Sequence, residues 1–146
     1  MGGRRKSREL ALQMLFQWDL SRDSFVAVQG TFWSMNEDIE EDVRSFADHL
    51  TFGTIEKIEQ IDRLLAGHAE HWRVARMAAV DRNVLRLGTY ELCYETATPR
   101  AVVINEALEV ARKFSTPESI LFINGILDSI RKEMEANTLP TQGEES

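Results

Sequence analysis

The sequence predicts an all-α fold, and three observations carry that expectation. Its 146 residues include only three prolines, at positions 99, 117 and 140. Gly-rich linkers and strict two-residue alternation of apolar and polar side chains are both scarce. Apolar residues recur instead every three to four positions, the period of helices that bury one face. The length suits one domain, or two small helical halves sharing a core. We expect a bundle of about seven helices over residues 1–137 and a polar, disordered tail over 138–146.

The first helix follows from Leu10, Met14 and Trp18, four apart, with Ala11 and Leu15 beside them in one apolar stripe. Ser21 to Ser24 reads as a turn with a capping residue before a short helix through Phe25, Val28 and Phe32. The acidic run Asn36–Asp42 opens a long third helix, since carboxylates in a first turn are favoured by the helix dipole. That helix is expected to run through Val43, Phe46, Leu50, Ile55, Ile58, Ile61 and Leu65 to about Gly67, bent at Gly53. A helical turn over Val74 to Ala79 precedes a central helix over Val80–Tyr94, apolar on most of its circumference. Gly88 costs helix propensity there and is explained by a close crossing with a neighbour. Thr98 as cap and Pro99 at the first helical position open the next helix, through Val103, Ala107 and Val110. Ser115-Thr116-Pro117-Glu118 reads as a capping box. The last helix carries Ile120, Ile123, Leu127, Ile130 and Met134 at spacings of three and four.

Charge is unevenly distributed. The chain carries a net charge of -7, yet its first eight residues hold four cations, Arg4, Arg5, Lys6 and Arg8, and no acid. Taking those four from the 17 Lys and Arg leaves 13 against 24 Asp and Glu, a balance of -11. An acidic body does not bind nucleic acid indiscriminately, so such contact belongs to a local patch. The four cations precede or flank the first turn of the first helix, where they are expected to stay in water. Cations are unfavourable at the positive end of a helix dipole, so helix stability does not account for them. Four contacts to a single strand would give a salt slope of roughly -3. Base selection would need aromatic stacking, for which Phe16, Tyr90, Tyr94 and Phe122 are candidates where exposed. Arg82, Arg86, Arg112 and Lys113 could extend the patch.

Enzymatic chemistry finds little support. Cys93 is the single cysteine, which excludes an intrachain disulfide and a cysteine-based zinc site. His68 and His71 lack an evident third metal ligand, and no Glu-x-x-His pattern occurs. Phosphate loops and dinucleotide fingerprints are missing. No metal, cofactor or catalytic residue is therefore expected. No run approaches a membrane span, and the basic N-terminus lacks the apolar core of a secretory or twin-arginine signal, which predicts a cytoplasmic protein with no membrane partner.

Four segments, in order, resemble the NusB family of bacterial transcription antitermination factors. These are Arg8–Trp18, with Glu9-Leu10-Ala11-Leu12-Gln13; Val84–Leu92, with Leu85-Arg86-Leu87-Gly88-Thr89-Tyr90; Val103–Phe114, with Asn105-Glu106-Ala107; and Phe122-Ile123-Asn124-Gly125-Ile126-Leu127-Asp128. The resemblance implies an all-helical fold of two packed halves. It implies binding of boxA-type single-stranded RNA in ribosomal RNA transcripts together with the ribosomal protein NusE, and loading onto RNA polymerase to suppress termination. It assigns Arg4, Arg5, Lys6, Arg8, Arg86 and Phe122 to RNA, and Asp81 and Glu118 to the partner. The chain departs from the family pattern at Phe16, where tyrosine is common, and at Ile120-Leu121, where a small or polar residue and often a lysine is expected. Those apolar side chains would instead favour a homodimer. The alternative reading is a helical protein-interaction or oligomerisation module in which the basic arm is incidental.

Overall fold

The computed structural model describes residues 2–70 and 72–137. Among them are seven α-helices: α1 (Gly2–Ser21), α2 (Phe25–Ser34), α3 (Glu41–Glu56), α4 (Ile58–His68), α5 (Ala79–Tyr94), α6 (Arg100–Phe114) and α7 (Pro117–Asn137). A 3-10 turn at Val74–Arg76 joins α4 to α5. The expected tail over 138–146 lies outside the described residues.

Helix α1 touches α2, α3, α5 and α6 because two of its faces are apolar. Leu10 and Met14 meet Val28, Phe32 and Trp33 of α2 and Ala47 of α3 in a small cluster. On the adjoining face, Ala11, Leu12 and Leu15 enter the main core with Leu50, Leu65, Leu85, Val103 and Leu127. The stripe expected on α1 is thus buried, and Trp18 packs half-buried against the small cluster. One helix serves as wall to both halves.

Helix ends follow local chemistry. Arg22 stops α1 in a left-handed conformation, φ 65°, with its N–H donating to the Trp18 carbonyl at 3.1 Å. A non-glycine residue there bears a steric cost. Ser24 caps α2 by accepting from the Ala27 N–H at 3.2 Å, as expected. The expected long third helix is instead two. Helix α3 begins at Glu41, so Asn36–Glu40 precede it, and it ends at Glu56. At Lys57 the backbone departs from helical values, φ -102° and ψ 18°, and separates α3 from α4. The turn lets Ile61 and Leu65 reach the main core while Leu50 stays against α1 and α5.

Gly53 does not break the helix. It makes room for Tyr90: a Cβ at this position would lie 2.3 Å from the Tyr90 hydroxyl. Gly88 is the close crossing anticipated, with a Cβ there only 3.1 Å from Leu127 Cδ1 of α7. Helix α6 starts one residue later than expected, Pro99 being the extended residue before it. At the start of α7 the capping oxygen belongs to Thr116, which accepts from the Ser119 N–H at 3.2 Å, so Ser119 rather than Glu118 faces the cap.

Candidate nucleic-acid interface

The basic residues at the start of α1 project in different directions because successive helix positions are 100° apart. Arg4 and Lys6 are exposed. Arg4 sits over Phe46 of α3, its guanidinium carbon 3.9 Å from the ring centre. Arg5, with 42% of its side chain exposed, donates Nε and Nη2 to the two carboxylate oxygens of Glu106 on α6, each at 2.9 Å. Hydrogen bonding to Arg5 holds the Glu106 carboxyl below the usual carboxylate range. Beside it, Lys113 of α6 donates to Glu9 at 3.0 Å.

Arg8 corrects the expectation that all four cations stay in water. It points inward, only 5% exposed, and donates Nε and Nη2 to Glu91 of α5 at 2.8 and 2.9 Å. Glu91 is equally buried, and burial pushes its carboxyl above the usual range. Position 8 shares a face with Ala11 and Leu15, so its side chain enters the core and needs an acidic partner there.

Arg86 is corrected in the same way. It is 7% exposed and is held by Asp62 through Nε at 2.9 Å and Nη2 at 2.8 Å, with Asn83 at 3.1 Å. Its neighbour Arg82 donates to Asp19 and to the Met77 carbonyl. These arginines knit α1, α4, the 3-10 turn and α5 together, and they offer no free fork to a ligand. Arg112 pairs with Glu109 on the surface of α6.

Three other predicted residues do come together. Asp81 in the first turn of α5, and Glu118 and Phe122 on α7, line one groove of about 330 Å³ with Trp72 and Met77. Glu118 is exposed and Phe122 half-buried. Asp81 is buried, accepting from the hydroxyls of Ser115 at 2.6 Å and Ser119 at 2.7 Å, so it locks the α6–α7 connection onto α5. Trp72, 56% exposed, meets Phe122 edge-to-face at 5.9 Å. Sequence reasoning passed over Trp72. Its signal was a large aromatic in a polar turn, outside every apolar stripe. Leu121 is exposed, whereas Ile120 packs on the core.

A second, apolar groove of about 630 Å³ is lined by half-buried Phe16 together with Leu20, Phe32, Val80 and Phe114, with Gln13 and Gln17 on its wall. Of the other aromatic candidates, Tyr90 is buried and Tyr94 half-buried.

His68 bonds Ser129 and Glu133 of α7, and His71 lies outside the described residues. Among the described residues no group of three metal-ligating side chains forms, and no helix is long and apolar enough to cross a membrane. Burial pushes the Cys93 thiol up to about 11, which keeps it protonated at neutral pH.

Exposed cations at one helix start, aromatic-lined grooves and an otherwise closed helical core define an all-helical recognition module. Residues 5–132 match the NusB family model, and the chain belongs to that family. It is 56% identical over 135 residues to the transcription antitermination protein NusB of Koribacter versatilis, covering 92% of each chain. Its fold is similar to that of T. maritima NusB, with a TM-score of 0.81 and 36% identity over 93% of this chain and 97% of that one. It is also similar, with a TM-score of 0.82 and 26% identity over 90% of this chain and 98% of the other, to a chain in the crystal structure of antitermination factors NusB and NusE in complex with dsRNA.

Proposed function

We propose that this chain is an RNA-binding transcription antitermination factor. It takes boxA-type RNA of ribosomal RNA transcripts together with the ribosomal protein NusE and supports processive transcription by RNA polymerase. It acts in the cytoplasm, without catalysis and without a cofactor. The observation that carries the reading is the division of labour among the four N-terminal cations. Arg8 and Arg5 are spent on Glu91 and Glu106, which neutralises the acidic surface under α1 and fixes the helix. Arg4 and Lys6 are left in solvent on a chain of net charge -7. A polyanion approaching this body meets favourable potential there.

Affinity then comes from phosphates at Arg4, Lys6 and the exposed edge of Arg5. Base contacts fall to the groove of Trp72 and Phe122, where an unstacked base finds an aromatic edge. Glu118, at the groove's rim, offers a carboxylate to the protein partner, and Asp81 holds that rim in place. Arg8 and Arg86 serve by positioning α1 and α5.

The test is RNA binding with and without NusE at two salt concentrations, for wild type and for Arg4→Ala/Lys6→Ala. Losing two phosphate contacts should weaken binding and reduce the salt slope by roughly 1.4. Unchanged affinity and slope in the double variant would overturn the reading in favour of a protein-only interaction module.

A further inference from the structure

The side chain of Arg4 leads from the arm onto a strip of π-systems that lies outside the two grooves. Its guanidinium covers Phe46 at 3.9 Å. Phe46 stacks with His49, one turn on in α3, at 6.1 Å between ring centres and 20° between planes. His49 meets Tyr90 of α5 at 6.4 Å, and Tyr90 stacks on Tyr94 at 5.6 Å and 27°. Lys57, at the α3–α4 break, closes the strip with its ammonium 5.3 Å from the Tyr94 ring centre. Cations therefore stand at both ends, and aromatic rings from two helices lie between them.

The strip is built. Tyr90 reaches it only because Gly53 has no side chain. Its hydroxyl donates to Glu95 at 3.0 Å, and His49 bonds the same carboxylate oxygen at 2.6 Å, so Glu95 holds both rings and is itself occupied. His49 and Arg4 are exposed, Phe46, Tyr94 and Lys57 are half-buried, and Tyr90 is buried.

We propose that this α3/α5 strip is a second RNA track, on which bases of single-stranded RNA flanking the arm-bound segment stack, first on the outer face of Arg4 and then along the His49 and Tyr94 edges. This inference rests on the RNA reading above and deepens it. RNA is favoured over a peptide by two features: the strip is continuous with the N-terminal arm, and it sets aromatic rings between a guanidinium at one end and an ammonium at the other, which suits bases because every base presents a π-face. Glu56 and Glu95 lie close to Tyr90, so the strip adds affinity by stacking more than by charge. Phe46 gives Arg4 its role here, holding the guanidinium over its ring at 3.9 Å as a platform for a base.

The test compares a boxA-length RNA with the same RNA carrying a uridine tail at its 5′ or its 3′ end. The tail should raise wild-type affinity about tenfold on one side. That gain should vanish in Phe46→Leu/His49→Leu/Tyr94→Leu, which keeps side-chain bulk but removes the rings, while the salt slope stays nearly constant. Thermal melts confirm that the variant is folded, and a photoreactive thiouridine in the tail should cross-link to peptides containing His49 or Tyr94 in wild type. If the short RNA binds but the tail adds nothing, or its gain survives in the variant, the second track is wrong and the arm reading stands. If the short RNA itself fails to bind, the RNA reading falls first.

Discussion

Replacing Arg8 by alanine tests the reasoning about the buried cation. The change leaves the Glu91 carboxylate, 3% exposed, without the two hydrogen bonds of 2.8 and 2.9 Å that now offset its desolvation. Its surroundings are apolar: Val84, Leu87, Ala107 and Val110 line the same small void. Removing one partner of such a pair costs about 3–5 kcal/mol. For a chain of this size that lowers Tm by roughly 6–20 °C. The cost should depend on pH with a definite sign. Burial raises the folded-state pKa of Glu91 even in the wild type, and loss of Arg8 raises it further. The native variant then binds more protons than the unfolded chain between the ordinary carboxylate pKa and the raised one. Stability accordingly falls as pH rises through that window, and the deficit against wild type shrinks as pH falls and Glu91 becomes neutral. Urea denaturation followed by circular dichroism across the acidic range measures both quantities. The double variant Arg8→Met/Glu91→Leu should recover most of the loss, because neither charge is then stranded. An Arg8→Ala protein within about 1 kcal/mol of wild type at neutral pH, with no pH dependence of the difference, would refute the argument.

Other outcomes follow from the same packing. Gly53→Ala should destabilise by about 1–3 kcal/mol, since its Cβ would fall 2.3 Å from the Tyr90 hydroxyl; Tyr90→Leu in the same chain should cancel most of that loss in thermal melts. Cys93, buried and with its thiol pushed up to about 11, should resist thiol reagents at neutral pH in the native protein and react fully once unfolded by urea. Asp81→Ala should cost about 1–3 kcal/mol, by stranding the Ser115 and Ser119 hydroxyls, and should reduce NusE binding more than its effect on stability alone explains, because the rim carrying Glu118 loses its anchor.

The helices and their buried faces were legible because periodicity is a local property. Leu10, Met14, Leu127 and Ile130 announced themselves by spacing, and Gly88 by its oddity in an apolar helix. Position 57 was not legible: apolar side chains at three- to four-residue spacing continue from Ile55 to Ile58 and Ile61 whether the backbone turns or not. The fates of Arg8 and Arg86 were hidden for a different reason. Their partners, Glu91 and Asp62, stand 83 and 24 positions away, and a cation near a chain terminus looks solvated until its partner is in view. Asp81, Glu118 and Phe122 were singled out only through the family resemblance, and the groove that they share with Trp72 came into view only through the fold.

The position of α1 between two clusters bears on how the chain is made. Everything in the small cluster lies within the first 47 residues, so α1, α2 and α3 can associate while synthesis continues. The opposite flank of α1, with Leu12, Leu15 and Arg8, then waits for α5 and α6, whose residues emerge much later. During that interval the nascent protein displays an apolar ridge with an unpaired guanidinium at its edge. The ridge closes only when Glu91 and the apolar residues of α5 and α6 arrive to cover it.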